Sequence, residues 1–283
     1  MRGTGKAVRS PFVATFDCLS FLTDYGLDDG FVAACHGVAA RIAPGLRVID
    51  ITHLVPPGDV RRGAAVLAQT LPYLPVGVHV AVVDPGVGTT RRAIAVQAGG
   101  HVLVGPDNGV LSWAVTSLGG ADAAYQLTNG ELWLHPVSQT FHGRDIFMPV
   151  AAHVAAGTEL AAAGTAVDPA DLVTLPAPTS RVHDGVAEGE VMSSDRFGNV
   201  QLSVTASDAD QLGIGFGSSL VVRCGRRQFT VPYLETFAAV APGETVAFTD
   251  SAGFLSLAVN AGDAAQQLGL PPGAHVKLSP ASS

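Results

Sequence analysis

The feature that most limits what this chain can fold into is a change of pattern near residue 175. Before it, short continuous apolar runs alternate with stretches of helical periodicity. After it come only short alternating runs punctuated by Gly and Asp. Leu175-Pro176-Ala177-Pro178-Thr179-Ser180 separates the two and reads by composition as a linker. In the first part, Cys18 to Thr23, Arg47 to Thr52 and Val78 to Val83 are predicted strands, followed closely by Ala93 to Gln97 and Val102 to Val104. Asp28 or Asp29 is placed to cap a helix from Phe31 to about Ile42, with Val32, Cys35, Val38, Ala39 and Ile42 on one face. Asp59 is placed to cap a second helix running through Leu71, and Gly109 to Leu118 and Asp145 to Ala156 read as further helices. Strand–helix alternation with uninterrupted apolar strands predicts a mostly parallel sheet covered on both faces.

In the second part, Ala187 to Met192, Val200 to Val204, Ser219 to Val222, Gln228 to Val231, Val246 to Phe248 and Phe254 to Val259 read as strands of a small antiparallel barrel or sandwich. The expected organisation is a loose leader over residues 1–16, an α/β domain over 17–175, a linker over 176–186 and an all-β domain over 187–283. At 283 residues, 47% of them apolar, the chain supports one large domain or two modest ones.

A net charge of −8, with 16 scattered basic residues, argues against nucleic acid as a partner. No stretch reaches the ~18 uninterrupted apolar residues of a membrane span. Lys6 and Arg9 are followed by no long apolar run, so no signal-peptide pattern is present. Cys18, Cys35 and Cys224 are widely spaced and fit neither a zinc pattern nor a disulfide framework; a reducing cytoplasm is the expected setting.

Three loops stand out for chemistry. Thr23-Asp24-Tyr25-Gly26-Leu27-Asp28-Asp29 carries three carboxylates in six positions after the first strand. A carboxylate there can accept both hydroxyls of a ribose, and another can pair with an ammonium group; the plainer reading makes Asp28 and Asp29 helix caps. Val83-Asp84-Pro85-Gly86-Val87-Gly88-Thr89-Thr90-Arg91-Arg92 contains Gly-x-Gly but lacks the third glycine, and a strand, not a helix, follows it. A dinucleotide fingerprint therefore fails, leaving a tight loop holding Asp84 and Arg91. Thr140-Phe141-His142-Gly143-Arg144-Asp145 offers His142, with Asp145 read as a helix cap. There is no His-Glu-x-x-His, Cys-x-x-Cys or calcium loop, so no metal is expected. In the second half, the turn Ser194-Asp195-Arg196-Phe197-Gly198-Asn199 offers an amide able to read an adenine edge and a ring able to stack on a base, or is an ordinary Gly-Asn hairpin turn. Asp250-Ser251-Ala252-Gly253 is a second polar turn between strands.

Taken together, FLTDYGLDD, VIDITH, VVDPGVGTTRR, VGPDNGVLS, FHGRDIF, DRFGN and SAGFLSLAVN with its NAGDAAQQLGL extension resemble, in order, the motifs of the S-adenosyl-L-methionine hydrolases, also called hydroxide adenosyltransferases, relatives of the fluorinases and chlorinases. The resemblance runs from about Leu19 to Lys277. It implies an α/β fold with an N-terminal Rossmann-like domain, a largely parallel sheet, and a C-terminal antiparallel β-barrel. It also implies a homotrimer with sites between subunits, S-adenosyl-L-methionine as substrate and no cofactor. The implied catalytic set is Asp84, Arg91 and His142, where halogenating relatives carry Tyr at the first position and Tyr followed by Ser or Gly at His142-Gly143. A carboxylate at Asp84 repels a halide and accepts a water, so hydrolysis is the expected reaction, with a halide adenosyltransferase or a non-catalytic sensor as the alternatives. By position, Asp24 is expected at the ribose hydroxyls, Asp29 and Asp195 at the methionine amino group, Ser251 at its carboxylate, Asn199 at adenine, and Phe197 and Phe237 as stacking rings. Three positions depart from the family: Gly58 in place of an aromatic beside the ribose, Asp250 in place of Asn, and Glu235 in place of Arg.

Overall fold

The apolar runs of the first half become strands because each of their two faces has a separate apolar layer to enter. In β1 (Cys18–Thr23) all six residues are buried, and so are all five of the strand over Val78–Val82. Along these strands alternate side chains part company: Leu19, Phe21, Val78, Val80 and Val82 join one cluster, while Leu22, Ala81 and the adjoining Val83 join another. Burying each large side chain of this kind stabilises the fold by about 1.5–3 kcal/mol. The computed structural model describes residues 16–281, so the leader expected over residues 1–16 lies, but for its last residue, outside the described residues.

Chain order in the N-terminal unit is β1, α1 (Phe31–Ile42), β2 (Arg47–Thr52), α2 (Val60–Thr70), β3 (Val78–Val82), β4 (Ala93–Ala98), β5 (His101–Pro106), α3 (Ser112–Ser117), β6 (Ala123–Leu127), α4 (Met148–Ala155) and β7 (Gly164–Val167). The strands form one sheet in the order β2-β1-β3-β5-β4-β6-β7. The ladders β2–β1, β1–β3 and β3–β5 are parallel; β5–β4, β4–β6 and β6–β7 are antiparallel, so five of the seven strands point the same way. Helices α1 and α4 pack together on one face, α2 and α3 on the other. The largely parallel, doubly covered sheet expected from the sequence is therefore present.

Local details differ from the sequence reading. Asp59 caps α2, accepting from the Arg62 N–H at 2.9 Å. Neither Asp28 nor Asp29 caps α1: the cap position is Gly30, which makes no side-chain bond, because the chain bends through both exposed aspartates before the helix begins. The helix expected from Asp145 starts instead as a π-helical turn over Gly143–Phe147 that leads into α4.

The C-terminal unit, Pro176–Ser283, contains β8 (Arg181–His183), β9 (Val186–Ser194), β10 (Val200–Thr205), α5 (Ala206–Gln211), β11 (Ser219–Cys224), β12 (Arg227–Pro232), β13 (Thr245–Thr249), β14 (Phe254–Val259), α6 (Ala264–Leu268) and β15 (His275–Pro280). Strand β8 lies within the stretch read as a linker and pairs with β9. All named ladders are antiparallel, in the order β12-β11-β15-β9-β10-β14-β13. The ends of that path meet: the Leu234 N–H, just past β12, donates to Ala247 O of β13 at 2.9 Å. This nearly closes a barrel around Val191, Leu202, Leu220, Leu257 and Leu278. Among the described residues no helix is long and apolar enough to cross a membrane.

Candidate active site

The parallel strands β1 and β3 end side by side, and the loops leaving them carry the acidic residues singled out above. After β3 the chain turns tightly through Asp84–Arg92. Gly88 makes the turn possible: its φ is +75°, and a Cβ there would fall 2.4 Å from the Gln139 carbonyl oxygen. That close approach lays the Asp84 loop against the segment carrying His142.

The result is a connected trio. Arg91 Nε donates to Asp84 Oδ1 and Oδ2 at 3.1 and 2.9 Å, and Nη2 donates to Oδ2 as well. The same Nη2 reaches His142 Nδ1 at 2.7 Å. The side chains of Asp84 and Arg91 are 5% and 11% exposed, and the guanidinium lies over the Phe147 ring, 5.2 Å from its centroid. A guanidinium has donors only, so His142 Nδ1 must accept, which assigns the ring hydrogen to Nε2. Burial pushes the His142 pKa down and the neighbouring Arg91 charge pushes the same way, against the pull of Asp84 and Asp145. The imidazole is therefore neutral at neutral pH, with Nε2–H as its remaining donor.

Asp24, at the end of β1, accepts from the Gly58 N–H at 2.8 Å. Gly58 in turn sits against Pro85, with 3.8 Å from the place of its absent Cβ to Pro85 Cβ, so Asp24 and the Asp84 loop share one surface. Asp29 is exposed in the bend before α1.

Asp145 does not cap a helix. It is fully buried, paired with Arg144 Nε at 2.6 Å, and accepts from the Ser138 N–H at 2.8 Å. It ties the loop before His142 to the turn after it.

Tyr25 was not singled out by sequence reasoning. Its ring packs edge-on against Phe21 and Phe141 and beside Phe31, and a Cβ on Gly143 would lie 2.0 Å from its hydroxyl oxygen. Burial drives its pKa well up, and the nearby charges of Asp24 and Asp84 push the same way. The available signal was its place between Asp24 and Gly26 in the first loop. Phe147, the ring under Arg91, was likewise read only as part of a helix.

In the C-terminal unit, Asp195 and Asn199 are bonded to each other. Asp195 Oδ1 accepts the Phe197 and Asn199 N–H groups at 2.8 and 2.9 Å, and Oδ2 accepts Asn199 Nδ2 at 2.8 Å. Phe197 projects from this turn 71% exposed, and Phe237 is half-exposed, its ring 6.2 Å from that of Phe248. Ser251 is exposed in the turn between β13 and β14. Asp250 points into that turn, accepting from Ala252 N, Phe254 N, Gln201 Nε2 and Ser256 Oγ at 2.7–3.1 Å. Its carboxylate is spent on holding the turn.

Comparison with known proteins agrees with this architecture. Residues 19–164 match the SAM hydroxide adenosyltransferase N-terminal domain and residues 189–277 the C-terminal domain. A protein of Salinispora arenicola named (R)-S-adenosyl-L-methionine hydrolase is 54% identical over 268 residues, covering 94% of this chain and 99% of its own. A solved structure of a Thermotoga maritima protein superposes with a TM-score of 0.87 at 37% identity, over 92% of this chain and 99% of that one. A protein of an Actinoplanes species named fluorinase is similar at 28% identity, over 93% of this chain and 97% of its own. With both domains matched in order across a Rossmann-like sheet and a β-barrel, the chain belongs to the SAM hydroxide adenosyltransferase family.

Proposed function

We propose that this protein is an enzyme that hydrolyses S-adenosyl-L-methionine to adenosine and L-methionine, with Asp84, Arg91 and His142 as its catalytic set. The observation that carries the reading is the Asp84–Arg91–His142 chain of hydrogen bonds at the end of the parallel strands. The sulfonium needs no acid, because it departs as a neutral thioether. What the reaction needs is a water held in line with the ribose 5′ carbon. The Nε2–H of His142 donates to that water and orients a lone pair towards carbon. The water oxygen bonds to C5′, the C5′–S bond breaks, and its electron pair goes to sulfur. The proton leaves to Asp84, whose Oδ1 is the less engaged oxygen in the pair with Arg91. Arg91 holds both partners and keeps His142 neutral.

The substrate contacts follow the same reading. Asp24, fixed by Gly58, takes the ribose hydroxyls. Asp29 and Asp195 face the methionine ammonium, Ser251 faces its carboxylate, Asn199 reads adenine, and Phe197 and Phe237 supply stacking rings. Large rings left in water on the C-terminal unit support a role in contact with a ligand. Assembly is as a homotrimer, with each site completed by a neighbouring subunit, and the setting is the cytoplasm, where Cys18, Cys35 and Cys224 stay free thiols. No cofactor takes part. The substrate epimer is the (R)-sulfonium, as in the name of the Salinispora relative.

The test is chromatography of the products from purified protein and each separated sulfonium epimer, with and without chloride. Adenosine and methionine in equal amounts, unaffected by chloride, is the expected result. A 5′-halogenated nucleoside, or binding without turnover, refutes the reading.

A further inference from the structure

At the VIDITH motif, α1 and the end of β2 bring together three potential ligands. His36 Nε2 lies 2.8 Å from Asp50 Oδ1, and His53 Nε2 lies 3.1 Å from the same oxygen. All the ligand atoms of the group fall within 4.8 Å of one another. His53 Nε2 is buried and, 3.1 Å from Asp50 Oδ1, has no well-formed hydrogen bond. The other ring nitrogen, Nδ1, is 2.8 Å from Thr23 Oγ1. We propose that His36, Asp50 and His53 bind one divalent transition-metal ion of the zinc class through two imidazole nitrogens and a carboxylate oxygen.

An ion pair alone leaves His53 poorly served in either tautomer. With hydrogen on Nε2, a buried donor lacks a well-formed bond to the carboxylate beside it. With hydrogen on Nδ1, donated to Thr23, a bare lone pair faces a carboxylate. A metal ion between them satisfies both groups, and the Nδ1–H bond to Thr23 becomes the outer contact that orients a ligating imidazole. Bonds of about 2.0–2.2 Å place tetrahedral ligand atoms about 3.3 Å apart, so the two spacings to Asp50 need to open by only a few tenths of an ångström. His36 and Asp50 have the freedom to do this, with side chains 34% and 42% exposed. Two imidazoles with one carboxylate favour a borderline ion such as zinc over magnesium or calcium, which prefer all-oxygen shells. The Phe21 ring backs the group, 4.9 Å from His53 and 6.2 Å from His36. The ligands come from two elements 14 and 17 positions apart, which is why no metal was expected from sequence spacing.

The ion would clamp α1 to the end of β2 next to Thr23, whose hydroxyl also accepts the Tyr25 N–H at 3.1 Å. The proposal does not depend on the hydrolase reading. Its test uses the full-length protein without a polyhistidine tag, stripped with a chelator and titrated with zinc chloride by calorimetry. Zinc-edge X-ray absorption then reports the shell. Because His53 is buried, the surface variants His36→Ala and Asp50→Asn carry the comparison, with circular dichroism to check their fold. One zinc per chain is expected, at micromolar or tighter affinity, with two imidazoles at about 2.0 Å, and each variant weakened about tenfold or more. No zinc uptake at about 100 µM, or folded variants that bind as tightly as the parent, overturns the proposal.

Discussion

Gly143 is the position where one added methyl group tests the whole arrangement. Alanine there places Cβ 2.0 Å from Tyr25 Oη, well over an ångström short of an ordinary contact of about 3.5 Å. Its φ is not among the positive glycine angles, so backbone strain does not enter and the clash is purely steric. Tyr25 has little room to yield, since its ring is held by Phe21, Phe31 and Phe141. The π-helical turn must shift instead, and His142 is the residue next to it. Overpacking of this kind costs about 1–3 kcal/mol, and moving a reacting group by about 1 Å costs on the order of 100-fold in rate. Gly143→Ala is therefore expected to lower the thermal midpoint by several degrees and to cut adenosine release on that scale. Tyr25→Phe removes the clashing oxygen but leaves Cζ at 3.0 Å, so the double variant is expected to regain much of the lost stability, though not all. Calorimetry and a timed adenosine assay on the parent, both single variants and the double variant give the full cycle. A Gly143→Ala protein with parental midpoint and rate, or a double variant no better than Gly143→Ala alone, refutes the steric account.

Asp84→Ala, Arg91→Ala and His142→Ala are each expected to lower turnover about 100-fold or more while the fold survives, checked by steady-state kinetics alongside circular dichroism; parental rates in all three remove the catalytic assignment. Protonating His142 turns its Nδ1 into a donor facing an Arg91 donor, so kcat/KM is expected to hold at neutral pH and to fall only below the ordinary imidazole value of 6.5; an inflection above pH 7 in a pH–rate profile contradicts this. His79 is fully buried between Ser20 Oγ and His101 Nδ1, both at 2.8 Å, and burial with the His101 ring beside it lowers its pKa to about 3. The unfolded chain takes up this proton first, so the contribution of His79 to stability is complete above pH 6.5 and is lost progressively as pH falls towards 3. Its ring proton resonances in NMR are expected to stay those of neutral imidazole at about pH 5, and titration there near 6 speaks against the burial argument.

Much of the fold is legible in the sequence because burial on two faces leaves a plain mark. Cys18–Thr23, Arg47–Thr52 and, in the barrel, Phe254–Val259 have the same boundaries in the sequence pattern and in the structure. Strands β6 and β7 escaped because they are only partly buried, and their mixed residues show no clean alternation. Asp28 and Asp29 look like caps in any local window, yet the chain bends past them and Gly30 takes the position. Asp145 misled in the same way, since its charge is consumed inside by Arg144. The catalytic candidates rest on a resemblance, and nothing local in the sequence joins Arg91 to His142 across 51 positions. Their meeting depends on a backbone approach at Gly88, which only the folded chain displays.

Joining Leu234 to Ala247 leaves the barrel with scarcely any bare rim of amide and carbonyl groups for another chain to zip onto. In the N-terminal unit the outermost strands are β2, which bears Arg47 and Asp50, and β7, only four residues long. Charge and shortness both discourage strand addition. Copies of this protein at high concentration are thereby steered away from fibre-like stacking and towards association through side-chain surfaces.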